Sequence, residues 1–100
     1  MDTAIQFQVK EKEKYHILTI ELNCPIEPEE LKTIKPPLLY GTKGVILYGR
    51  SPIWLYCYLT HYYHIMKFIA TYDPRVGGAV IVESHTKEYE AGDIIVMEDY

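Results

Sequence analysis

The chain has 100 residues, a formal net charge of −4 and 48% hydrophobic residues, which suffices for one core and leaves no room for two domains of ordinary size. The apolar runs are too short to cross a bilayer, and no signal peptide is evident. Two cysteines, Cys24 and Cys57, fit a reducing cytoplasm better than a disulfide scaffold. The acidic balance argues against a protein that binds duplexes non-specifically.

The negative charge is confined to the two ends of the chain. Residues 1–30 carry −4 and residues 73–100 carry −5, whereas residues 31–72 contain no Asp or Glu and carry +5. A long acid-free stretch favours contact with an anionic partner. It is equally compatible with a stretch that lies mostly in the core, so charge alone leaves both interpretations open.

Taken in chain order, the pattern predicts a single small α+β domain with a mixed β-sheet. Strands are expected at 4–9 and 15–22, where apolar and polar residues alternate, and they should form a hairpin. Pro28 and two following acids predict a short helix at 29–34, which ends before the next prolines.

The second half of the chain completes the order β-β-α-β-α-β-β-β. The main helix is expected at about 52–66. The remaining strands are expected at 44–48, 68–72, 79–83 and 93–97. A strand, a helix and a strand in succession imply one right-handed parallel crossover.

The main helix has two unusual features. Ser51 is a good N-cap residue, and Pro52 would occupy the favoured first position. After Arg50 the helix lacks any Lys, Arg, Asp or Glu and is apolar almost all round. One face should therefore pack on the sheet and the other against a second subunit.

Three of the four histidines are candidates for chemistry. His61 and His64 are three residues apart and share one face of the helix, and His85 follows a strand end. Imidazoles at this spacing can ligate a metal, act as general acid and base, or bind phosphate when charged, but purely structural histidines would show the same spacing. His16, inside a strand, is expected to be structural.

Both arginines stand in turns next to element ends. Arg50 lies at the start of the helix, where free N–H groups favour an anion, so Gly49-Arg50-Ser51-Pro52 is a candidate phosphate seat. Arg75 follows Asp73-Pro74. Seven of the ten tyrosines lie between Tyr40 and Tyr72, where they could stack on bases or serve subunit contacts.

The sequence gives little support for a cysteine nucleophile or for a nucleotide-binding motif. Cys57 precedes His61 by four residues, but a mid-helix cysteine among aromatic residues is expected to be inert packing. The sequence has no Walker loop, no G-x-G-x-x-G and no Cys-x-x-Cys pair.

Several separate motifs together resemble the small CRISPR-associated Csx-three family of type III systems. In order, they are Gly49-Arg50-x-Pro52-Ile53-Trp54-Leu55, His61-x-x-His64, Tyr72-Asp73-Pro74-Arg75 and Ser84-His85. The resemblance covers nearly the whole chain and is most specific from Gly44 to Asp93.

The resemblance implies a ring nuclease that degrades cyclic tetra-adenylate, the second messenger of type III CRISPR defence, to linear oligoadenylate. It also implies homodimers, which stack further on ligand binding so that the ring is held between two dimers. Members of the family are also described as manganese-dependent RNA exonucleases that act on 3′ adenosine tails, so short RNA is an alternative partner and Mn²⁺ a possible cofactor.

The resemblance also assigns roles to residues. His64 and Asp73 match the main active-site positions, and His61, Arg75 and His85 match neighbouring catalytic or binding positions. Arg50 and Ser51 would bind phosphates or bases. If a metal is needed, the expected ligands are His64, Asp73 and His85, which suit Mn²⁺.

Residue chemistry and resemblance agree on cleavage through the RNA 2′-hydroxyl. His64, oriented by Asp73, would be the base; His61 or His85 would be the acid; and Arg75 would stabilise the developing charge. Two other hypotheses stay open: a non-catalytic protein that binds and buffers the ring, and a dimeric scaffold with structural histidines.

Overall fold

The computed structural model describes residues 4–97, and six strands there form one mixed sheet. Each strand lies beside the strand that precedes it in the chain. The strands are β1 (Ile5–Glu11), β2 (Tyr15–Leu22), β3 (Gly44–Tyr48), β4 (Phe68–Asp73), β5 (Gly78–Ser84) and β6 (Ile94–Val96). The predicted α+β class and element order are confirmed.

The centre of the sheet is parallel and its flanks are antiparallel. Strands β2, β3 and β4 run in parallel, whereas β1 pairs antiparallel with β2 and β5 with β4. The predicted parallel pairing across the main helix is confirmed. A second parallel connection, between β2 and β3, was not predicted. In place of the helix expected at 29–34, this connection carries a short 3₁₀-helix, Pro28–Lys32.

Both faces of the sheet are buried, as alternating side chains require. Leu18 and Leu47 pack under the helix with Leu55 and Leu59, and Leu31, Ile34 and Leu39 of the β2–β3 connection join them. Ile17, Ile46, Phe68, Ala70, Ala79 and Ile81 form the second cluster on the other face. Tyr89, in the β5–β6 connection, covers part of it.

The helix, α1, spans Ile53–Tyr62 and is shorter than the predicted 52–66 at both ends. Pro52 itself is the N-cap residue, and its carbonyl accepts from Leu55 N–H at 3.1 Å. Beyond Tyr62 the chain turns back, because Tyr63 and Met66 are buried against the sheet and the Tyr63 hydroxyl donates to the carbonyl of Pro37 at 2.5 Å. The aromatic residues at this end of α1 have weak helix propensity, so they do not favour continuation of the helix.

The contact of the outer face of α1 with a second subunit stays a prediction, and part of the helix is covered within the chain. Trp54, Tyr56 and Tyr58 are partly buried against the chain's own core. The side chain of Ile53 stays 82% exposed, and Cys57 and His61 are also exposed. Among residues 4–97, no helix is long and apolar enough to span a membrane.

Candidate functional site

The parallel strands give the sheet two unlike edges, and the predicted site residues divide between them. Where β3 and β4 end lie Arg50, Ser51, Asp73 and Arg75, which we call the aspartate edge. Where β4 begins, α1 ends and β5 ends lie His61, His64 and His85, which we call the histidine edge.

Strand β4 separates the two groups. Its five steps from Phe68 to Asp73 span about 17 Å at about 3.3 Å per residue. His64 lies beyond the Phe68 end, because its carbonyl contacts the His85 ring there. The predicted pairing of His64 with Asp73 is therefore not formed within one chain. The structure brings the histidines together, and it separates them from Asp73.

At the aspartate edge, Asp73 is paired with Arg75. The Arg75 backbone N–H donates to Asp73 Oδ1 at 2.9 Å, and the guanidinium approaches both carboxylate oxygens at 3.4 Å. These hydrogen bonds, the backbone one first, hold the pKa of the Asp73 carboxyl below its usual range. Asp73 thus orients an arginine, not a histidine, and the Arg75 side chain stays 90% exposed towards any anion that approaches.

A cavity of about 370 Å³ opens beside this ion pair. Its lining includes Ser51, Tyr72, Cys57 and both members of the ion pair, Asp73 and Arg75. The ring of Tyr72 lies against that of Tyr48, with centroids 4.6 Å apart. Cys57 is exposed, so the expectation that its side chain packs among aromatic residues is wrong, and its lack of reactivity stays a prediction. The cavity combines an arginine, a hydroxyl and an aromatic face, the chemical groups that nucleotides contact.

Ser51 does not cap the helix as expected. Its Oγ donates to the Pro52 carbonyl at 3.2 Å, and no side chain caps the first turn of α1. The turn before it depends on Gly49, whose φ is +124° and where a Cβ would collide with the Ile20 carbonyl. The Tyr56 hydroxyl donates to the Gly49 carbonyl. Arg50 is exposed beside this fixed turn.

At the histidine edge, His61 and His64 stack with ring centroids 5.6 Å apart. Nδ1 of His64 lies 3.0 Å from the carbonyl oxygen of His61. A carbonyl can only accept, so Nδ1 carries the hydrogen in this bond and Nε2 keeps its lone pair. His64 is exposed, which leaves that lone pair able to take a proton from a ligand.

His85 is held by two acceptors. Its Nε2 lies 2.9 Å from the carbonyl oxygen of His64 and 2.6 Å from Oε2 of Glu83. Both oxygens accept, so Nε2 carries the hydrogen and the lone pair is on Nδ1. The same bond fixes the distance between His85 and the backbone of His64. Two exposed imidazoles with free lone pairs therefore share one edge.

Glu83 is the functional candidate that the sequence analysis missed. Its carboxylate is the partner of His85, whereas Asp73 was expected to supply the carboxylate that orients a histidine, His64. A signal was available, because residues two apart near a strand end point to the same side of the sheet. Glu83 and His85 have that spacing.

Residues 4–97 of one chain do not assemble a metal site. They contain no group of three or more His, Cys, Asp or Glu side chains placed to hold an ion. The expected set of His64, Asp73 and His85 is divided between the two edges. We therefore derive no chemical step through Mn²⁺, and its requirement stays a prediction.

The architecture is that of a small α+β protein with a mixed sheet, a histidine edge and an aspartate edge. The chain belongs to a CRISPR-associated protein family, Cas_csx3, whose model matches residues 19–96. This confirms the family resemblance seen in the motifs. A protein of Aquifex aeolicus (strain VF5), named only as an uncharacterized protein, is 40% identical over 102 aligned residues, which cover 97% of this chain and 92% of the relative.

Proposed function

We propose that the protein is a ring nuclease that cleaves cyclic tetra-adenylate to linear oligoadenylate, at a composite site formed by the histidine edge of one subunit and the aspartate edge of another. The separation of the two edges carries this proposal. Groups that act on one phosphodiester must lie within hydrogen-bond reach of it, about 3 Å. Edges about 17 Å apart in one chain cannot meet that condition, whereas edges of two stacked subunits can.

The reaction uses the 2′-hydroxyl of the substrate as the nucleophile. A free imidazole lone pair, on His64 Nε2 or His85 Nδ1, takes the 2′-hydroxyl proton. The 2′-oxygen bonds to the adjacent phosphorus and the 5′-oxygen leaves, which opens the ring and gives a 2′,3′-cyclic phosphate and a 5′-hydroxyl. The second imidazole, once protonated, gives its proton to the departing oxygen.

Arg75 would stabilise the charge that develops on the phosphate. Its guanidinium is exposed and makes two contacts with the Asp73 carboxylate, which also accepts from the Arg75 backbone N–H. Fixed positive charge aimed at a developing oxyanion is the largest single source of catalysis in many such reactions. Ser51, which lines the same cavity, and the exposed Arg50 that precedes it would contact phosphates or bases, and His61 supports His64 by ring stacking.

Product analysis tests the activity directly. The protein is incubated with cyclic tetra-adenylate, with and without Mn²⁺, and the products are separated. Linear oligoadenylate with a 2′,3′-cyclic phosphate end is expected. Intact ring after long incubation at protein excess, under both conditions, would contradict the proposal.

Mixing of inactive variants tests the composite site. His64→Ala and Asp73→Ala are each expected to abolish cleavage, yet their mixture should recover part of it. In the mixture, the intact histidine edge of an Asp73→Ala subunit can face the intact aspartate edge of a His64→Ala subunit. A mixture of His64→Ala with His85→Ala is the matched control, because every histidine edge in it is defective.

Two other functions predict different outcomes. A buffering protein that only binds the ring would retain it intact in a single-turnover experiment. A manganese-dependent exonuclease would shorten linear RNA from its 3′ adenosine end only when Mn²⁺ is present. The free lone pairs of His64 and His85 favour cleavage over simple binding, since binding alone does not need them.

A further inference from the structure

A lysine precedes each of the three parallel strands. Lys14, Lys43 and Lys67 stand directly before β2, β3 and β4. Backbone hydrogen bonds place them side by side: Gly44 N–H donates to the Lys14 carbonyl at 3.1 Å, and Lys67 N–H to the Lys43 carbonyl at 3.1 Å. The row continues into the histidine edge, because the His85 N–H donates to the Lys67 carbonyl at 2.9 Å.

Two of these lysines line a cavity of about 240 Å³. Lys14 and Lys67 contribute to its wall with Thr42, Glu88 and Glu13. Phe68 also lines it and is buried, and the Tyr89 ring lies against it with centroids 4.7 Å apart. We call this cavity the lysine pocket. It is separate from the cavity at the aspartate edge, with which it shares no lining residue.

Glu88 occupies the position of an anion between the two lysines. Its Oε2 lies 3.5 Å from Lys14 Nζ, and its Oε1 lies 3.4 Å from Lys67 Nζ. Lys43, in contrast, lies 2.6 Å from Glu11 Oε2 and also donates to the Lys12 carbonyl at 2.7 Å. The Glu88 contacts are the longer ones, so they are weak and a ligand can replace them, whereas Lys43 is held by two shorter contacts.

The backbone next to Glu88 is fixed. The Ser84 hydroxyl donates to the Tyr89 carbonyl at 2.7 Å, and Glu88 N–H donates to Thr86 Oγ1 at 3.3 Å. The two lysines also keep the Glu88 carboxyl ionised, since they lower its pKa, Lys67 first. A carboxylate held by its backbone between two ammonium groups resembles a phosphate oxygen pair in charge and in the spacing of its acceptors.

We propose that the lysine pocket is a phosphate subsite for adenylate ligands, in which the Glu88 carboxylate holds Lys14 and Lys67 until a ligand phosphate replaces it. Only the choice of an adenylate ligand rests on the proposed function. The position, next to His85, is where a second phosphate of a nucleotide ring held at the histidine edge would lie. Glu88 then acts as a competitor that lowers affinity, and Glu13 adds a further repulsive charge.

Binding of 5′-AMP tests the subsite without any cleavage. Calorimetric or NMR titrations with AMP are compared with adenosine, which lacks the phosphate. Lys14→Ala and Lys67→Ala should each weaken AMP binding about fivefold, which corresponds to about 1 kcal/mol. Glu88→Gln should tighten it severalfold, since a neutral amide competes less for the ammonium groups. Adenosine binding should not change.

Matched variants separate a specific site from a general charge effect. Lys87→Ala removes an exposed lysine from the same connection, and Glu90→Gln removes a carboxylate near Glu88. Both should leave AMP affinity unchanged. Weaker or equal AMP binding by a folded Glu88→Gln protein, or lysine variants no different from Lys87→Ala, would overturn the proposal.

The outcomes also separate this subsite from the proposed function. Lysine-dependent AMP binding in a protein that never cleaves cyclic tetra-adenylate would retain the subsite and reject the nuclease. Cleavage of the ring, combined with an AMP affinity that neither lysine substitution changes, would retain the nuclease and reject the subsite. Melting temperatures of all variants show whether a loss of binding comes from unfolding, and the two lysine variants test the subsite even if Glu88→Gln does not fold.

Discussion

Glu83 and His85 meet side chain to side chain, with Glu83 Oε2 2.6 Å from His85 Nε2. The pair stands at the end of β5, and the same Nε2 contacts the carbonyl of His64. The carboxylate therefore does two things: it fixes the tautomer of His85, and it lies ready to stabilise the positive charge when that imidazole takes a proton. Residue 83 acts through a neighbour and is a positioning residue.

We expect Glu83→Ala to reduce ring cleavage by about tenfold to a hundredfold, the factor that corresponds to loss of a charge-assisted hydrogen bond of about 1.5–3 kcal/mol. Glu83→Gln keeps an acceptor and should retain an intermediate activity. ¹⁵N NMR of the His85 ring should show a changed Nε2 shift in the Ala variant, because only the His64 carbonyl would still accept from that nitrogen. Wild-type activity in Glu83→Ala, beside an inactive His85→Ala, would contradict this role.

The Asp73–Arg75 pair predicts a change in the ionisation of Asp73. The Arg75 guanidinium contributes to the lowered pKa of the Asp73 carboxyl, so Arg75→Ala should raise that pKa towards its ordinary value. Asp73 would then protonate at a higher pH than in the wild type, as ¹³C NMR titration of the carboxyl would show. Part of the shift should persist, because the backbone N–H of residue 75 remains.

Arg50→Ala is the control for this measurement, because Arg50 does not contribute to the Asp73 shift. Both arginine variants should lose ring cleavage, Arg75→Ala by about 10²–10³-fold, as for the loss of one group that stabilises a developing oxyanion. An unchanged Asp73 titration in Arg75→Ala would show that the ion pair does not form in solution.

His16 predicts a stabilising substitution. It is only 5% exposed, and neither ring nitrogen has a hydrogen-bond partner among residues 4–97. A buried polar group without a partner costs about 1–3 kcal/mol. His16→Leu should therefore raise the free energy of unfolding by about 1 kcal/mol and the melting temperature by about 4–8 °C.

His16→Gln serves as the control, because it keeps a polar group at the same buried position and should not stabilise. Neither variant touches the histidine or aspartate edge, so cleavage by the folded protein should not change. A lower melting temperature for His16→Leu would show that the imidazole is hydrogen-bonded in solution.

Two phenols, one buried and one partly buried, predict a loss of stability at high pH. Burial raises the pKa of Tyr56 to about 12 and raises the pKa of Tyr63 further. A raised folded-state pKa gives stability that is complete below the unfolded pKa near 10 and is lost as pH rises through the folded value. In that window the free energy of unfolding should fall by about 1.4 kcal/mol per pH unit for each tyrosine.

Denaturant unfolding at a series of pH values above 9 measures this slope. Tyr63→Phe should remove about half of it, at the expense of about 1 kcal/mol from the lost hydrogen bond to the Pro37 carbonyl. Tyr40→Phe, at a position where the side chain is 79% exposed, controls for removal of a phenol. Equal slopes in the wild type and Tyr63→Phe would contradict the prediction.

Local pattern was enough to predict most of the fold. β2 and β3 have the predicted limits, 15–22 and 44–48, because alternation and glycine punctuation are local signals. The extent of α1 was wrong, since its end is set by the docking of Tyr63 and Met66 on the sheet, a tertiary contact. The second parallel connection was not predicted, although a short helix was expected between β2 and β3. Its course depends on the packing of Leu31 and Ile34 on the core, which is again a tertiary contact.

The candidate site was harder to predict, because distance in sequence misleads when a strand lies between two residues. The resemblance and the chemistry of cleavage suggested that His64 and Asp73 act together, but β4 is extended between them. Asp73 and Arg75 are close because a tight turn follows the strand. Tautomers, and the pairing of Lys14 and Lys67 with Glu88, depend on side chains from distant segments and cannot be read from spacing.

Strand β4 gives every subunit two different ends. The number of complete sites in a stack of subunits therefore depends on the number of subunits in it. Where unlike ends meet head to tail, the contact is heterologous, and such contacts either close into a ring of subunits or stay open. An open stack of n units contains n − 1 complete sites under the proposed function, because its first and last units each leave one edge unmatched. Cleavage per subunit should then rise with stack length and vanish on dilution to separate units, so the concentration of the protein itself would set its activity.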